Sequence, residues 1–168
     1  MPGEQRLLRV KPGQGDEQRI AKRVIVDGDA CPRKVKAITA QVAERYGWEM
    51  IIIASFKHNI EEDCRRVTVG DEPQAADFAV INMAQKGDIV VTQDWGLAAV
   101  VLEKGAGALS PHGTVYRRER IGFLLEERHL KAAFRRAGGR TRGPSARTGV
   151  DDERFKKALE RLIKELDY

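Results

Sequence analysis

Two apolar rhythms alternate along the first two thirds of the chain. Val24-Ile25-Val26, Met50 to Ala54 and Ile89 to Val91 are short unbroken apolar runs, the pattern of strands covered on both faces. Between them the spacing lengthens. Val35, Ile38, Val42 and Tyr46 recur every three or four residues and so share one face of a helix. Pro32 suits that helix's first turn, where a missing N–H leaves nothing unpaired, and Gly47 stops it. The pattern predicts strands over 23–27, 50–54, 65–69 and 89–92, a polar loop over 55–63 and a turn at Gly70-Asp71-Glu72-Pro73. A helix is predicted over 74–86, with Ala75, Phe78, Ala79 and Ile81-Asn82-Met83 on its inner side. Another carries Leu97, Ala98, Val101 and Leu102 and closes at Gly105 or Gly107. A fifth strand falls near 106–109 or 114–116. Strands alternating with helices predict an α/β fold built on a parallel sheet.

The last third changes character. A helix predicted over 119–136 carries Ile121, Leu124, Leu125 and Phe134, and a Gly-rich basic loop, Gly138 to Pro144, follows it. Residues 151–167 read as an amphipathic helix. Its Asp151-Asp152-Glu153 opening suits the positive helix end. Phe155, Leu159, Leu162, Ile163 and Leu166 form one apolar stripe, which predicts core packing. Residues 1–22, rich in Gly, Gln and charge and without periodicity, read as a flexible N-terminal arm, and 23–168 as one domain that includes the C-terminal helices.

Composition narrows the classes. With 168 residues, 42% of them apolar, the chain supports a sizeable core and is not of disordered type. No apolar run approaches a membrane span, and the charged opening lacks a signal segment, so a soluble cytoplasmic protein is expected. Cys31 and Cys64 have no disulfide or metal-ligand spacing and are expected to be reduced thiols. Charge is uneven: residues 1–100 hold 14 Lys/Arg against 15 Asp/Glu, and 101–168 hold 16 against 10. An acidic front and a basic back fit a metal-dependent enzyme acting on a polyanion, and also an ordinary solvated surface.

The acidic residues carry the candidate chemistry. Asp27 closes the first strand, Asp29 follows two residues on, Asp77 lies early in the 74–86 helix, and Asp94 follows the fourth strand. Ligands in open parallel sheets bind beyond the carboxyl ends of strands. Carboxylates gathered there repel unless a cation lies between them, and hard oxygen donors suit Mg²⁺ or Mn²⁺. The pattern points to a metal site at Asp27, Asp77 and Asp94, with Asp29 a neighbour, and to phosphoester cleavage. Competing roles stay open: Asp29 can hold its loop, Asp94 can cap a helix, and Asp77 can be simply solvated. Asp88, at the opposite sheet end, is assigned to a turn. Thr92 and Gln93, beside Asp94, are candidates to hydrogen-bond substrate phosphate. Arg140 and Arg142 are candidates to steer it through guanidinium forks.

Asp27-Gly28-Asp29-Ala30-Cys31-Pro32 resembles the YaiI/YqxD family of bacterial proteins, whose function is uncharacterised. The resemblance continues through Ala76-Asp77, Gly87-Asp88-Ile89-Val90-Val91-Thr92-Gln93-Asp94, Gly96-Leu97-Ala98-Ala99, Lys104-Gly105-Ala106, Thr141-Arg142-Gly143-Pro144 and the final helix. It implies a three-layer α/β/α PIN-like domain with a mainly parallel sheet of order 3-2-1-4-5. It implies also an acidic metal-dependent nuclease pocket, with Asp27, Asp77 and Asp94 at the acidic positions and RNA as the expected partner. Gly28 stands where the family usually has Ala, an exchange expected to be harmless. Ser55 replaces a usual Asn, and Ser110-Pro111-His112-Gly113 a usual Asn-Pro-Arg-Gly. Two other readings remain. Asp27-x-Asp29 after a strand also resembles the nucleophile motif of haloacid-dehalogenase phosphatases, in which the first Asp attacks phosphorus. A non-catalytic RNA- or ribosome-associated module would keep the fold and the basic tail without the chemistry.

Overall fold

The structure, a computed structural model, describes residues 22–55, 64–141 and 146–167. The expected N-terminal arm before residue 22, the loop over 56–63 and Arg142 lie outside the described residues. The elements run β1 (Arg23–Asp27), α1 (Arg33–Tyr46), β2 (Glu49–Ser55), β3 (Arg65–Val69), α2 (Ala75–Met83), β4 (Ile89–Val91), α3 (Trp95–Glu103), β5 (Gly107–Leu109), β6 (Val115–Tyr116), α4 (Arg118–Arg136) and α5 (Gly149–Leu166). The sheet order is β3-β2-β1-β4-β5-β6. The first five strands are parallel and β6 returns antiparallel to β5. This is the three-layer PIN-like arrangement, extended by one short edge strand. Both candidate positions for a fifth strand are strands, so the sheet has six rather than five.

Alternation inside the apolar runs divides the core. Val24, Val26, Ile52, Ala54, Ile89 and Val91 face α1 and α5, packing with Val35, Val42, Phe155, Leu159 and Ile163. Ile25, Ile51, Ile53 and Val90 face the other way, onto Val80 of α2 and Leu97, Ala98 and Val101 of α3. Each strand residue is thus buried whichever face it takes, which is why no polar position interrupts the runs.

Two helices depart from expectation. α2 ends at Met83, three residues short of the predicted 86, and Ala84 turns extended. Gln85 N–H donates to Asp88 Oδ2 at 2.9 Å, and Asp88 N–H to the Gln85 carbonyl at 3.0 Å, closing the turn into β4. Val80 fills the inner face of α2, while Phe78, predicted inward, points to solvent. α4 has close to the predicted length but no buried residue, and Phe134 is exposed. α5 begins at Gly149 instead of 151 because Thr148 caps it: Asp151 Oδ2 accepts the Thr148 N–H at 2.9 Å.

At the amino ends of β1 and β4 lies a buried ion pair. Arg23 reaches Asp88 through Nη2–Oδ2 at 2.6 Å and Nε–Oδ1 at 3.2 Å, and Nη2 also donates to the Met83 carbonyl at 2.9 Å. Asp88 is completely enclosed. The clasp accompanies the register Val24↔Ile89, Ile25↔Val90, Val26↔Val91. One step further along, Asp27 lies level with Thr92.

Candidate active site at the carboxyl sheet end

The β1/β4 boundary is where the chain switches from building the sheet in one direction to the other, and ligand crevices form outside the strand ends at such points. Asp27 ends β1 there and is nearly buried. Thr92 Oγ1 donates to Asp27 Oδ2 at 3.2 Å, and the same oxygen accepts the Asp94 N–H at 3.0 Å. One hydroxyl therefore joins the two strand-end aspartates. Asp94 is the N-cap of α3, its Oδ1 accepting the Leu97 N–H at 3.1 Å. That engages one oxygen of the carboxylate in the cap.

Charge converges on Asp27. Burial, partly offset by the Thr92 hydrogen bond, and then the charges of Asp77, Asp29 and Asp94 push its carboxyl up to about 6. Asp77 is raised too, by its own burial and by Asp94. Four carboxylates from β1, the loop after it, α2 and the β4–α3 junction thus share one field. Among the described residues no Lys or Arg pairs with Asp27.

Asp29 holds its loop. Its oxygens accept the Ser55 N–H at 3.0 and 3.2 Å, which ties the β1–α1 turn to the end of β2. Gly28 is wedged beneath this tie. Its N–H donates to the Ile53 carbonyl at 2.8 Å, and a Cβ on it would meet Ile52 Cγ2 at 2.6 Å. An alanine is therefore not harmless in this chain; the branched Ile52 methyl has to move. Gln93 is exposed and its Nε2 donates weakly to the Ala30 carbonyl at 3.4 Å. Arg140 is exposed beyond the end of α4.

The donor set suits a hard divalent ion: all oxygen, anionic, and mutually repelling without one. Among the described residues no three His, Cys, Asp or Glu side chains close around a common point, so the acids share a field without forming a finished cage. Mg²⁺ typically keeps several waters and takes one or two carboxylates plus substrate phosphate, which this arrangement accommodates.

Sequence reasoning missed the wall beside these acids. The Tyr116 hydroxyl donates to the Thr92 carbonyl at 3.2 Å, and Trp95 stands beside it. Burial and the Asp94 charge push the Tyr116 phenol up to about 12. The available signal was Trp95 itself, an aromatic directly after a strand-end aspartate; Tyr116 lies in a two-residue strand that no periodicity marks.

A family model described as "Uncharacterized BCR, YaiI/YqxD family" matches residues 25–165. A UPF0178 protein of Heliobacterium modesticaldum is 48% identical over 143 residues, covering 85% of this chain and 97% of that protein. A UPF0178 protein of Alkaliphilus metalliredigens is 42% identical, covering 84% and 91%. Among solved structures, the crystal structure of Rae1 (YacP) from Bacillus subtilis aligns over 87% of this chain and 98% of its own, at 16% identity and a TM-score of 0.40.

Proposed function

Since the chain belongs to the YaiI/YqxD family, whose printed description assigns no chemistry, we propose that the acidic sheet end makes it a Mg²⁺- or Mn²⁺-dependent nuclease acting on RNA. The observation that carries the reading is Asp27: a buried carboxyl raised to about 6 by its enclosure and by three acidic neighbours. Such a group is costly to keep unless it serves something cationic. A divalent ion, when bound, offsets the phosphodiester charge and acidifies water.

The residues divide the work. Asp27 and Asp94 would hold the ion, with Asp77 facing it from α2. Thr92 fixes the Asp27 carboxylate and, through its bond to the Asp94 N–H, the start of α3. Asp29 keeps the loop in place through Ser55. Arg140 would steer the phosphate backbone. A polyanionic nucleic acid is favoured by the basic second half, and the lack of interleaved aromatics there argues against sequence-specific reading.

The phosphatase reading is less well supported. It needs Asp29 as a mobile acid/base, but both Asp29 oxygens already accept the Ser55 N–H. A non-catalytic binder is favoured by one observation, the lack of a closed three-ligand cage among the described residues.

The deciding experiment is cleavage of mixed RNA and DNA substrates with Mn²⁺, Mg²⁺ or chelator, by the wild type and by Asp27→Asn. The expected result is metal-dependent cleavage of RNA that falls at least about a hundredfold in the variant. Equal cleavage by both proteins rejects the assignment. Salt-sensitive binding with no turnover under any metal supports the binder instead.

A further inference from the structure

Next to the acids is a cleft of about 310 Å³ lined by Gln93, Trp95, Ser110, His112, Tyr116 and Leu124. Its volume is at the low end for small-molecule sites, enough for one flat heterocycle and too little for a folded oligonucleotide. Three walls form it. Gln93 and Trp95 come from the β4–α3 junction, Ser110 and His112 from the β5–β6 turn, and Leu124 from α4.

The aromatic wall is connected to the acidic centre. The Tyr116 hydroxyl donates to the Thr92 carbonyl at 3.2 Å, and Thr92 Oγ1 donates to Asp27 Oδ2 at 3.2 Å. Asp94 lies between the two lining residues Gln93 and Trp95 in sequence, and its charge is felt at Tyr116. The β5–β6 turn is also held: Thr114 N–H donates to Ser110 Oγ at 3.1 Å, and Gly113 N–H to the Ser110 carbonyl at 3.0 Å. Opposite stands α4. Leu124 and Arg128 are one helical turn apart on it and so share a face. Arg128 is exposed and does not line the cleft, but its charge acts on Tyr116, so its long side chain lies within reach of the opening.

An apolar-aromatic slot with a few amide, hydroxyl and imidazole groups, an exposed arginine within reach and a carboxylate centre alongside matches the chemistry of a nucleotide. Bases stack on aromatic faces regardless of sequence, and an Arg pairs with the adjoining phosphate. We propose that this cleft receives one nucleobase of a single-stranded nucleic acid, with Arg128 on the adjoining phosphate, so that the next phosphodiester is presented to Asp27 and Asp94. The inference rests on the nuclease reading for its purpose, but the binding step stands or falls separately.

The chain has two tryptophans, Trp48 buried against the α1 face of the sheet and Trp95 in the cleft. In full-length Trp48→Phe the remaining indole emission reports the cleft alone. Adenosine and uridine 5′-monophosphates, with ribose 5-phosphate as the baseless control, are titrated in the absence of divalent metal. Saturable quenching by both nucleotides and little by ribose phosphate is expected. Leu124→Glu, on a helix with no buried residue, is expected to weaken that binding about tenfold or more. Calorimetric titration of Trp95→Leu should show a similar loss without using fluorescence. Equal response to ribose phosphate, or affinity unchanged in Leu124→Glu, overturns the proposal. Base-dependent binding by a chain that cuts no substrate would sustain the subsite and reject the nuclease. Cleavage without base-dependent quenching would do the reverse.

Discussion

Replacing Asp27 by Asn should make the metal-free protein more stable, not less. In the unfolded chain the carboxyl titrates at its ordinary value of 3.8; folding raises it to about 6. A raised carboxyl binds its proton more tightly when folded, so its contribution to stability is complete below the unfolded value and is lost as pH rises through the folded one. That rise corresponds to about 3 kcal/mol once both states are ionised. The penalty carried by the wild type is about 1 kcal/mol near pH 4.5 and about 3 kcal/mol near pH 8. Asn removes it and can still accept from Thr92 Oγ1, which keeps the local bond. In a domain of this size the melting temperature should rise by roughly 6–12 °C near pH 8, and by far less near pH 4.5. Thermal unfolding followed by circular dichroism in chelator, at several pH values, reads this directly. Adding Mn²⁺ should then stabilise the wild type, more at high pH than at low, and leave the variant nearly unmoved. An Asn variant no more stable than wild type near pH 8 would refute the idea that burial and acidic neighbours strain this carboxyl.

Three further substitutions test other parts. Thr92→Val removes the hydrogen bond that holds the Asp27 pKa down, so the Asp27 titration, followed by carboxyl NMR, should move further upward, with about 1–2 kcal/mol lost in urea unfolding. Arg23→Met leaves the enclosed Asp88 without its guanidinium and should cost about 3 kcal/mol in the same assay, part of which Asp88→Asn restores in the double variant. Gly28→Ala forces the Ile52 Cγ2 methyl aside and should cost about 1–3 kcal/mol, and Ile52→Leu in the same chain, which lacks that methyl, should relieve some of it.

Much of the architecture is legible in the chain because fully buried parallel strands leave no polar positions, so Val24-Ile25-Val26 and Ile89-Val90-Val91 stand out unaided. Helix faces are harder to read. α2 is apolar on nearly every side, so spacing alone does not choose between Phe78 and Val80; only the layer above the sheet does. β6 has two residues, too few for any alternation to register. At the site, Asp27 and Asp94 are visible as strand-end acids, and the Asp94 cap follows from its place before α3. The Asp29–Ser55 tie and the Tyr116–Thr92 bond are not, because each joins residues far apart in sequence through the order of strands. The expectation about Gly28 failed for the same reason: the atom that crowds it belongs to the neighbouring strand.

The two ends of β1 treat acidity in opposite ways. Asp88 receives a guanidinium from within the chain, whereas among the described residues Asp27 is given only other acids and a hydroxyl. On the proposed metal-dependent reading, one end is electrically self-sufficient and the other depends on what the surrounding solution provides. Handling the protein in chelators would then change the molecule under study, and the divalent-ion content of a buffer would be a variable of its structure as much as of any reaction.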